Sequence, residues 1–333
     1  MQEICARQMK FIGEERQKKL GSAKVTVVGC GSLGSFVISA LVRSDVGFIR
    51  IIDRDYVEKS NLYANGTFDL SHIGKPKAII MKDAMKKINE DCNTEVFVEN
   101  LDYENTHLLD GTDIVIDCTD NMAARYLIND YCIKNKIPWI YGSVLGDEGY
   151  IMPVERSGKP CFRCVFGNEK HPENTCDTAG VLSPIVFIIA SLQVYEAIKF
   201  FTDIGTSLCG QIIHVKLGKK DSELINVKPN LNCKACGTGE FPSLKRSGYR
   251  LISICGKDSY QLKPHKTCKI EPETFSKKLV SLGLEAENLK DVMIKIEHEG
   301  MKSSLFRNGT AIIKYGTKEN AKKLYEIILK ALD

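Results

Sequence analysis

The apolar run Val25 to Val28 leads straight into Gly29-Cys30-Gly31-Ser32-Leu33-Gly34, and that junction limits the fold more than any other stretch. A continuous apolar run of this kind reads as a parallel strand buried on both faces. A helical stretch follows from Ser35 to Arg43, and a second apolar run, Phe48 to Ile52, ends in Asp53. In the pattern G-x-G-x-x-G, Gly29 lets the chain turn tightly off the strand. Gly31 keeps a side chain out of the way of a phosphate, and Gly34 lets the helix pack close to the sheet. Ser32 lies in the same turn, where the helix N-terminus presents free N–H groups and a partial positive charge. Asp53 closes the second strand, one helix beyond Gly34, where a carboxylate can accept ribose hydroxyls. The pattern predicts a nucleotide site but does not say which nucleotide.

The same alternation continues down the chain. The segment from Met1 to Ser22, basic through Arg7, Lys10, Arg16, Lys18 and Lys19, reads as a helix outside the sheet. A polar segment, Tyr56 to Lys77, precedes an amphipathic helix from Pro76 to Asn89. Strands are expected at Glu95 to Val98, Asp113 to Cys118 and Ile137 to Tyr141, with a short helix at Thr106 to Leu109 and a longer one carrying Arg125. Strand and helix in alternation imply a doubly wound, mainly parallel sheet of Rossmann-like type, with binding groups collected beyond the carboxyl ends of the strands. The glycine turn, Asp53 and Asp120 all fall there. From Gly149 the pattern changes: Tyr150 to Val154 and Gln211 to Leu217 read as an antiparallel extension. Between them lie a polar crossover, Gly167 to Asp177, and a long apolar helix, Ser183 to Phe201.

Residues 1–240 are therefore expected to form the nucleotide-binding unit, 241–248 a linker, and 249–333 a small α+β unit. In that last unit Asn308-Gly309 stands between Leu305-Phe306 and Ala311 to Ile313, which predicts a type I′ hairpin. Charge divides along the same line. Residues 241–333 carry 18 Lys and Arg against 11 Asp and Glu, whereas residues 1–240 carry 28 against 31. A solvated lysine-rich surface is the favoured reading of that excess, ahead of an acidic partner or nucleic acid. No leader pattern opens the sequence and no apolar run approaches membrane-spanning length, which predicts a soluble cytosolic protein with no membrane contact.

Thirteen cysteines in such a chain point to metal binding or thiol chemistry more than to disulfides. Cys161-Phe-Arg-Cys164 and Cys233-Lys-Ala-Cys236 are two C-x-x-C pairs far apart in the sequence. Each can place two thiolates on one ion, and together they complete the tetrahedral sulfur set that zinc prefers. Four sulfurs leave no open position, so such an ion is structural. Iron would fit the same ligands.

Taken in order, these residues resemble the ThiF/MoeB/HesA group of the ubiquitin-activating-enzyme superfamily, from about Arg7 to Gly237. The resemblance rests on Arg7-Gln8, GCGSLGS, D-x-D-x-V-x-x-S-N-L (Asp53 to Leu62), G-K-P-K-A (Gly74 to Ala78) and D-C-T-D-N-x-x-x-R (Asp117 to Arg125). It continues through P-C-F-R-C (Pro160 to Cys164), T-C-D-T-A-G-V-L-S-P (Thr175 to Pro184) and N-x-x-C-x-x-C-G (Asn230 to Gly237). It implies ATP in the glycine pocket and, as partner, a ubiquitin-like or sulfur-carrier protein ending in Gly-Gly. The carrier's terminal carboxylate attacks the α-phosphate of Mg-ATP, giving an acyl-adenylate and pyrophosphate. Lys77 matches the phosphate lysine and Asp120 the acid serving Mg2+ and nucleotide, with Asn121 beside it. Asp55 and Asn61 match residues beside the phosphates, and Asp53 the ribose acid. Arg7 matches an arginine that reaches the ATP of a neighbouring subunit, which implies a homodimer. Cys176 matches a cysteine that in some members forms a thioester or persulfide with the carrier. A helix N-terminus, Lys170 and His171 nearby in sequence suit a thiolate there. Tyr150 to Pro153 is expected to wall the cleft that receives the carrier tail.

The chain departs from that pattern at one place. Where the family reads S-N-L-x-R-Q with a phosphate-binding arginine, Ser60 to Asn65 reads S-N-L-Y-A-N, so Ala64 replaces the arginine. Arg54, Lys59 or Lys75 could supply the missing charge. The departure also leaves room for a nucleotide-binding scaffold without turnover, and the basic C-terminal unit for an enzyme resembling the tRNA-threonylcarbamoyladenosine dehydratases. A nicotinamide dehydrogenase fits the glycine motif alone but not Lys77, Asp120 or the cysteine pairs.

Overall fold

A computed structural model of the chain describes residues 3–167, 180–218, 221–245, 251–253, 259–264, 269–289 and 291–331. The N-terminal segment is two helices, α1 (Ala6–Ile12) and α2 (Glu14–Ser22), and not one. Gly13 at φ +86° breaks the helix that the sequence suggests to be continuous. Next come β1 (Lys24–Val28), α3 (Ser32–Arg43), β2 (Phe48–Ile52), α4 (Lys77–Ile88) and β3 (Asn93–Phe97). They are followed by β4 (Ile114–Asp117), α5 (Met122–Asn135) and β5 (Trp139–Leu145). The strands order as β3-β2-β1-β4-β5, all parallel. Chain direction away from β1 reverses between β1 and β4, and a crevice opens at that switch point beyond the carboxyl ends.

The antiparallel extension follows as β6 (Glu148–Val154), then α6 (Phe162–Phe166), α7 (Ser183–Thr202), β7 (Gln211–Lys216) and β8 (Asp221–Asn226). β6 pairs with β5, β7 with β6 and β8 with β7, giving an eight-stranded mixed sheet. The sequence reading did not anticipate β8, whose SELIN pattern mixes charge with two exposed aliphatics, Leu224 and Ile225, as an edge strand does. Among the described residues, α7 is the one helix long and apolar enough to cross a membrane by length and composition. That corrects the expectation that no apolar run approaches such a length. Polar residues interrupt the sequence of α7 without lowering its average hydropathy much. Half of its apolar window is buried, through Ile185, Val186, Ile189 and Val194, against α3, β5 and β6.

A second sheet is built by β9 (Leu251–Ser253), β10 (Ser259–Leu262), β11 (Glu285–Leu289), β12 (Met293–His298), β13 (Met301–Phe306) and β14 (Ala311–Lys314). Helix α8 (Pro272–Ser281) precedes β11 and α9 (Lys318–Lys330) follows β14. The order is β11-β12-β13-β14-β10-β9, all antiparallel. The β13–β14 hairpin is present, but its turn is not type I′. Gly309 has φ +78° while Asn308 does not have positive φ, and the Gly309 amide donates to the Phe306 carbonyl at 2.9 Å. This is a type I turn followed by a left-handed glycine, the other common short hairpin.

Strand alternation gives this second sheet two buried faces. Ala311 and Ile313 of β14 and Ile294 and Ile296 of β12 pack with Phe275, Leu279, Leu324 and Ile328 of α8 and α9. Met293, Phe306 and Ile312 point the other way and join the same buried cluster as Tyr56 and Val57 of the first sheet's loops. The segment expected to link the units is packed at its start. Phe241 and Leu244 lie against the α5 side of the first sheet, and residues 246–250 fall outside the described residues.

Candidate active site

The first βα turn is made by glycines for three separate reasons. Gly29 has φ +94°, and a Cβ there would lie 2.6 Å from the Cys118 carbonyl oxygen. At Gly34 a Cβ would collide with the Gly29 carbonyl, so α3 can approach β1 only through glycine. Gly31 faces open space, which leaves its backbone accessible to an anion. Cys30 between them is fully buried and serves as packing. Ser32 begins α3, and that helix N-terminus looks into the cleft.

Gly29, Gly31, Ser32, Asp53, Asp55, Asn61, Lys77, Asp120 and Asn121 all line one cleft. Gly34 lies beneath it. Asp53 is held by two short backbone bonds: its Oδ2 accepts from the Cys30 amide at 2.5 Å and its Oδ1 from the Asp55 amide at 2.6 Å. Burial pushes its carboxyl up, with Asp55 adding to the rise and Lys77 opposing it. Lys77 opens α4, donates its amide to the Asp55 carbonyl at 2.9 Å, and holds Nζ 3.6 Å from Asp55 Oδ2. Burial would depress its ammonium, but Asp55, Asp53 and Asp120 outweigh burial and raise it, so the side chain stays charged. Asn61 sits on a 3-10 turn and accepts the Glu58 amide at 2.9 Å. Asn121, not Asp120, caps α5 by accepting from the Ala124 amide at 2.9 Å. Asp120 is left exposed at the cleft rim.

Several groups at the cleft carry no recognisable motif. Glu99, Asn100 and Leu101 reach it from the loop after β3. Their signal is only their place beyond strand ends. Arg125 donates to the Thr119 carbonyl at 2.7 Å, and its Nε lies 3.6 Å from Asp117 Oδ2. Asp117 is wholly buried, and burial pushes its carboxyl to about 6 despite Arg125.

Ala64 is buried in the core and offers nothing to the cleft. Of the three cations considered as replacements, Arg54 lines the cleft, whereas Lys59 and Lys75 do not. Asn65, at the usual glutamine position, points its amide at the Gly31 carbonyl (3.4 Å). Arg7 is exposed on α1 and takes no part in its own chain's cleft. Cys176, with Lys170 and His171, lies outside the described residues.

The four cysteines of the two pairs come together at the other end of the first sheet. All four Sγ atoms lie within 4.8 Å of one another, with Cys161–Cys233 at 3.6 Å, Cys164–Cys236 at 3.4 Å and Cys161–Cys164 at 4.0 Å. Tetrahedral Zn–S bonds of about 2.3 Å would set sulfurs roughly 3.8 Å apart, so the donor set fits such an ion. Gly237 closes the second turn, where a Cβ would meet the Cys233 carbonyl oxygen at 2.7 Å. Between the first two cysteines, Arg163 is buried and pairs with Asp130 of α5 at 2.7 and 2.9 Å. It also donates to Ser243 Oγ at 2.7 Å. This buried ion pair ties α5, the cluster and residues 241–244 together, and the sequence reading missed it.

Comparison with known proteins agrees with this architecture. The ThiF family matches residues 5–235. The sulfur carrier protein ThiS adenylyltransferase of Bacillus subtilis is 32% identical over 324 residues, 94% of this chain and 95% of that protein. The likeness therefore extends past Gly237 through the second sheet, where the motif resemblance stops. The SAMP-activating enzyme E1 of Haloferax volcanii is 32% identical over 244 residues, 72% of this chain and 90% of its own length. Among solved structures, E. coli MccB with AMPCPP and MccA superimposes with a TM-score of 0.64 at 25% identity, over 71% of this chain and 74% of that one. With its glycine turn, its cleft and its relatives named as adenylyltransferases, the chain belongs to the ThiF family.

Proposed function

We propose that this chain adenylylates the C-terminal glycine of a ubiquitin-like or sulfur-carrier protein, using ATP and releasing pyrophosphate. The observation that carries the reading is convergence: residues from separate parts of the chain, picked out by their order in sequence, line one cleft. The carrier carboxylate is already anionic, so its attack on the α-phosphorus needs no base. It forms the acyl–phosphate bond as the bond to pyrophosphate breaks, with no proton transferred. The barrier lies in bringing two anions together, and fixed cations lower it. Lys77 and Arg54 serve the phosphates in this scheme, and Asp53 the ribose. Asp120 would hold Mg2+, which would neutralise phosphate charge, while Asp55, Asn61 and Asn121 line the same cleft beside the phosphates. Tyr150 to Pro153, on β6, is the proposed wall for the carrier tail.

The remaining assignments are proposals of the same kind. The four-cysteine cluster holds a structural zinc ion, and its need for reduced thiols suits the cytoplasm. The chain works as a homodimer, with Arg7 completing the neighbouring site. The exposed apolar residues Phe187, Ile188 and Tyr195 along α7 offer a surface for that contact. The Cys176 thiolate attacks the carrier's acyl-adenylate, forming a thioester as AMP leaves; the persulfide link arises where a sulfane-sulfur donor has first loaded Cys176. Residues 1–240 form the adenylylating unit, 241–248 the connection, and 249–333 a unit whose outer surface docks the carrier or a downstream partner.

Pyrophosphate exchange into ATP, measured with and without Gly-Gly-ended carriers, tests the central step. Carrier-dependent exchange is expected. ATP binding without exchange for any carrier would favour a scaffold without turnover, a second reading supported by the burial of Ala64. Turnover of a tRNA substrate instead of a carrier would favour dehydratase-like chemistry.

A further inference from the structure

The second sheet reaches the nucleotide cleft, and its alternation decides which side chains do so. In β14, Ala311 and Ile313 face the sheet's own helices, so Ile312 and Lys314 face the first unit. Lys314 Nζ lies 3.4 Å from Asp55 Oδ1, while Lys77 Nζ lies 3.6 Å from Asp55 Oδ2. One carboxylate thus sits between two ammonium groups from different parts of the chain, Lys77 on α4 and Lys314 on β14, with Arg54 Nε farther off at 3.9 Å. In β10 the pattern repeats. Tyr260 and Leu262 face the helices, and Gln261 accepts a bond from Asn100 Nδ2 at 3.0 Å. Asn100 Oδ1 in turn accepts from Arg54 at 2.6 Å. Lys263, on the same side, pairs with Asp102 at 2.6 Å and Glu104 at 2.8 Å. Both cations proposed for the phosphates are therefore held by way of the second sheet: Lys77 through Asp55 and Lys314, Arg54 through Asn100 and Gln261.

We propose that Lys314 is a positioning residue of the nucleotide site, taking up the charge of Asp55 so that Lys77 is free to meet a polyphosphate. The inference rests on the nucleotide reading above and adds a role that no motif assigns. Asp53, Asp55 and Asp120 stand around Lys77. Without Lys314, Asp55 would keep only Lys77 and the more distant Arg54, whose Nε lies 3.9 Å away, and would compete with an incoming phosphate for the lysine. Lys314 removes the competition without itself lining the cleft. Asp55 also sits at the N-terminus of α4 through its carbonyl bond to the Lys77 amide, so fixing Asp55 fixes the start of that helix.

The test is a double-mutant cycle on ligand binding by the full chain, with Lys314→Met, Asp55→Asn and both together, and with Lys314→Arg as the conservative variant. The expected result is about a tenfold weaker affinity for ATP in Lys314→Met, since Asp55 then draws on Lys77 and Arg54, the two cations proposed for the phosphates. Lys314→Arg should stay within about threefold of wild type, and in the Asp55→Asn background Lys314→Met should cost less than about twofold. An equal penalty in both backgrounds, or none in either, overturns the inference and leaves the ATP reading standing. A wild-type chain that fails to bind ATP but binds inorganic tripolyphosphate with the same Lys314 dependence removes the ATP reading and keeps the inference. Binding of neither ligand overturns both.

Discussion

The cleft and the cysteine cluster sit at opposite ends of one sheet and are built on opposite plans. Each half of the cluster is local, two thiols on a single tight turn, and only the meeting of the halves needs the fold. The cleft has no local half. Its acids and cations come from the loops after β2, β3 and β4, from the start of α4 and from α5, and each loop is fixed by the strand before it. Under the proposed function the cluster acts on whether the chain folds, whereas the cleft acts on what the folded chain does. A variant that moves both properties together would break that division.

The largest effect is expected at the cluster. Cys233→Ser, or metal removal with a chelator, should lower unfolding free energy by at least roughly 3 kcal/mol, as losing a cross-link over a long loop does. Urea unfolding with and without added Zn2+ measures it, and a stability unchanged by either treatment would remove zinc from the account. Next is Asp120→Ala. Asp120 is exposed and does not cap α5, so stability should stay within about 0.5 kcal/mol while pyrophosphate exchange falls by about 100-fold. Loss of stability in parallel with activity would show that the two regions are not separable.

The smallest effect sharpens the comparison from behind the cleft wall, at the buried partner of Arg125. Asp117 has its folded pKa raised to about 6, above its ordinary value, because it is buried. Its contribution to stability is therefore full below the unfolded pKa and is lost as pH rises through about 6. Relative to Asp117→Asn, the wild-type chain should lose roughly 1 kcal/mol between about pH 5 and about pH 7.5, readable as a pH-dependent gap between two urea midpoints. A gap independent of pH would mean that Arg125 holds the carboxylate ionised throughout.

The division also explains what the sequence makes legible. The C-x-x-C pairs are readable because spacing alone places two sulfurs on one ion. The glycine turn is readable because each glycine answers a steric demand that the structure bears out at Gly29 and Gly34. Glu99, Asn100, Arg163 with Asp130, and Lys314 are not readable, because nothing near them in sequence marks their partners. Lys314 meets Asp55 across 259 residues, and Arg163 meets Asp130 across 33. The hairpin at Asn308-Gly309 is readable as a hairpin, while its turn type depends on the φ of one asparagine.

The second buried face of the C-terminal sheet bears on how this protein can be divided. Met293, Phe306 and Ile312 are covered only while the first unit is present, and Tyr56 and Val57 share their cluster. Cutting the chain at residue 245 would leave an apolar surface on both pieces, and such surfaces drive self-association. The two units are thus not interchangeable modules. A chimera that exchanges one of them must carry across the complementary face as well, or the product will be insoluble before its chemistry can be measured.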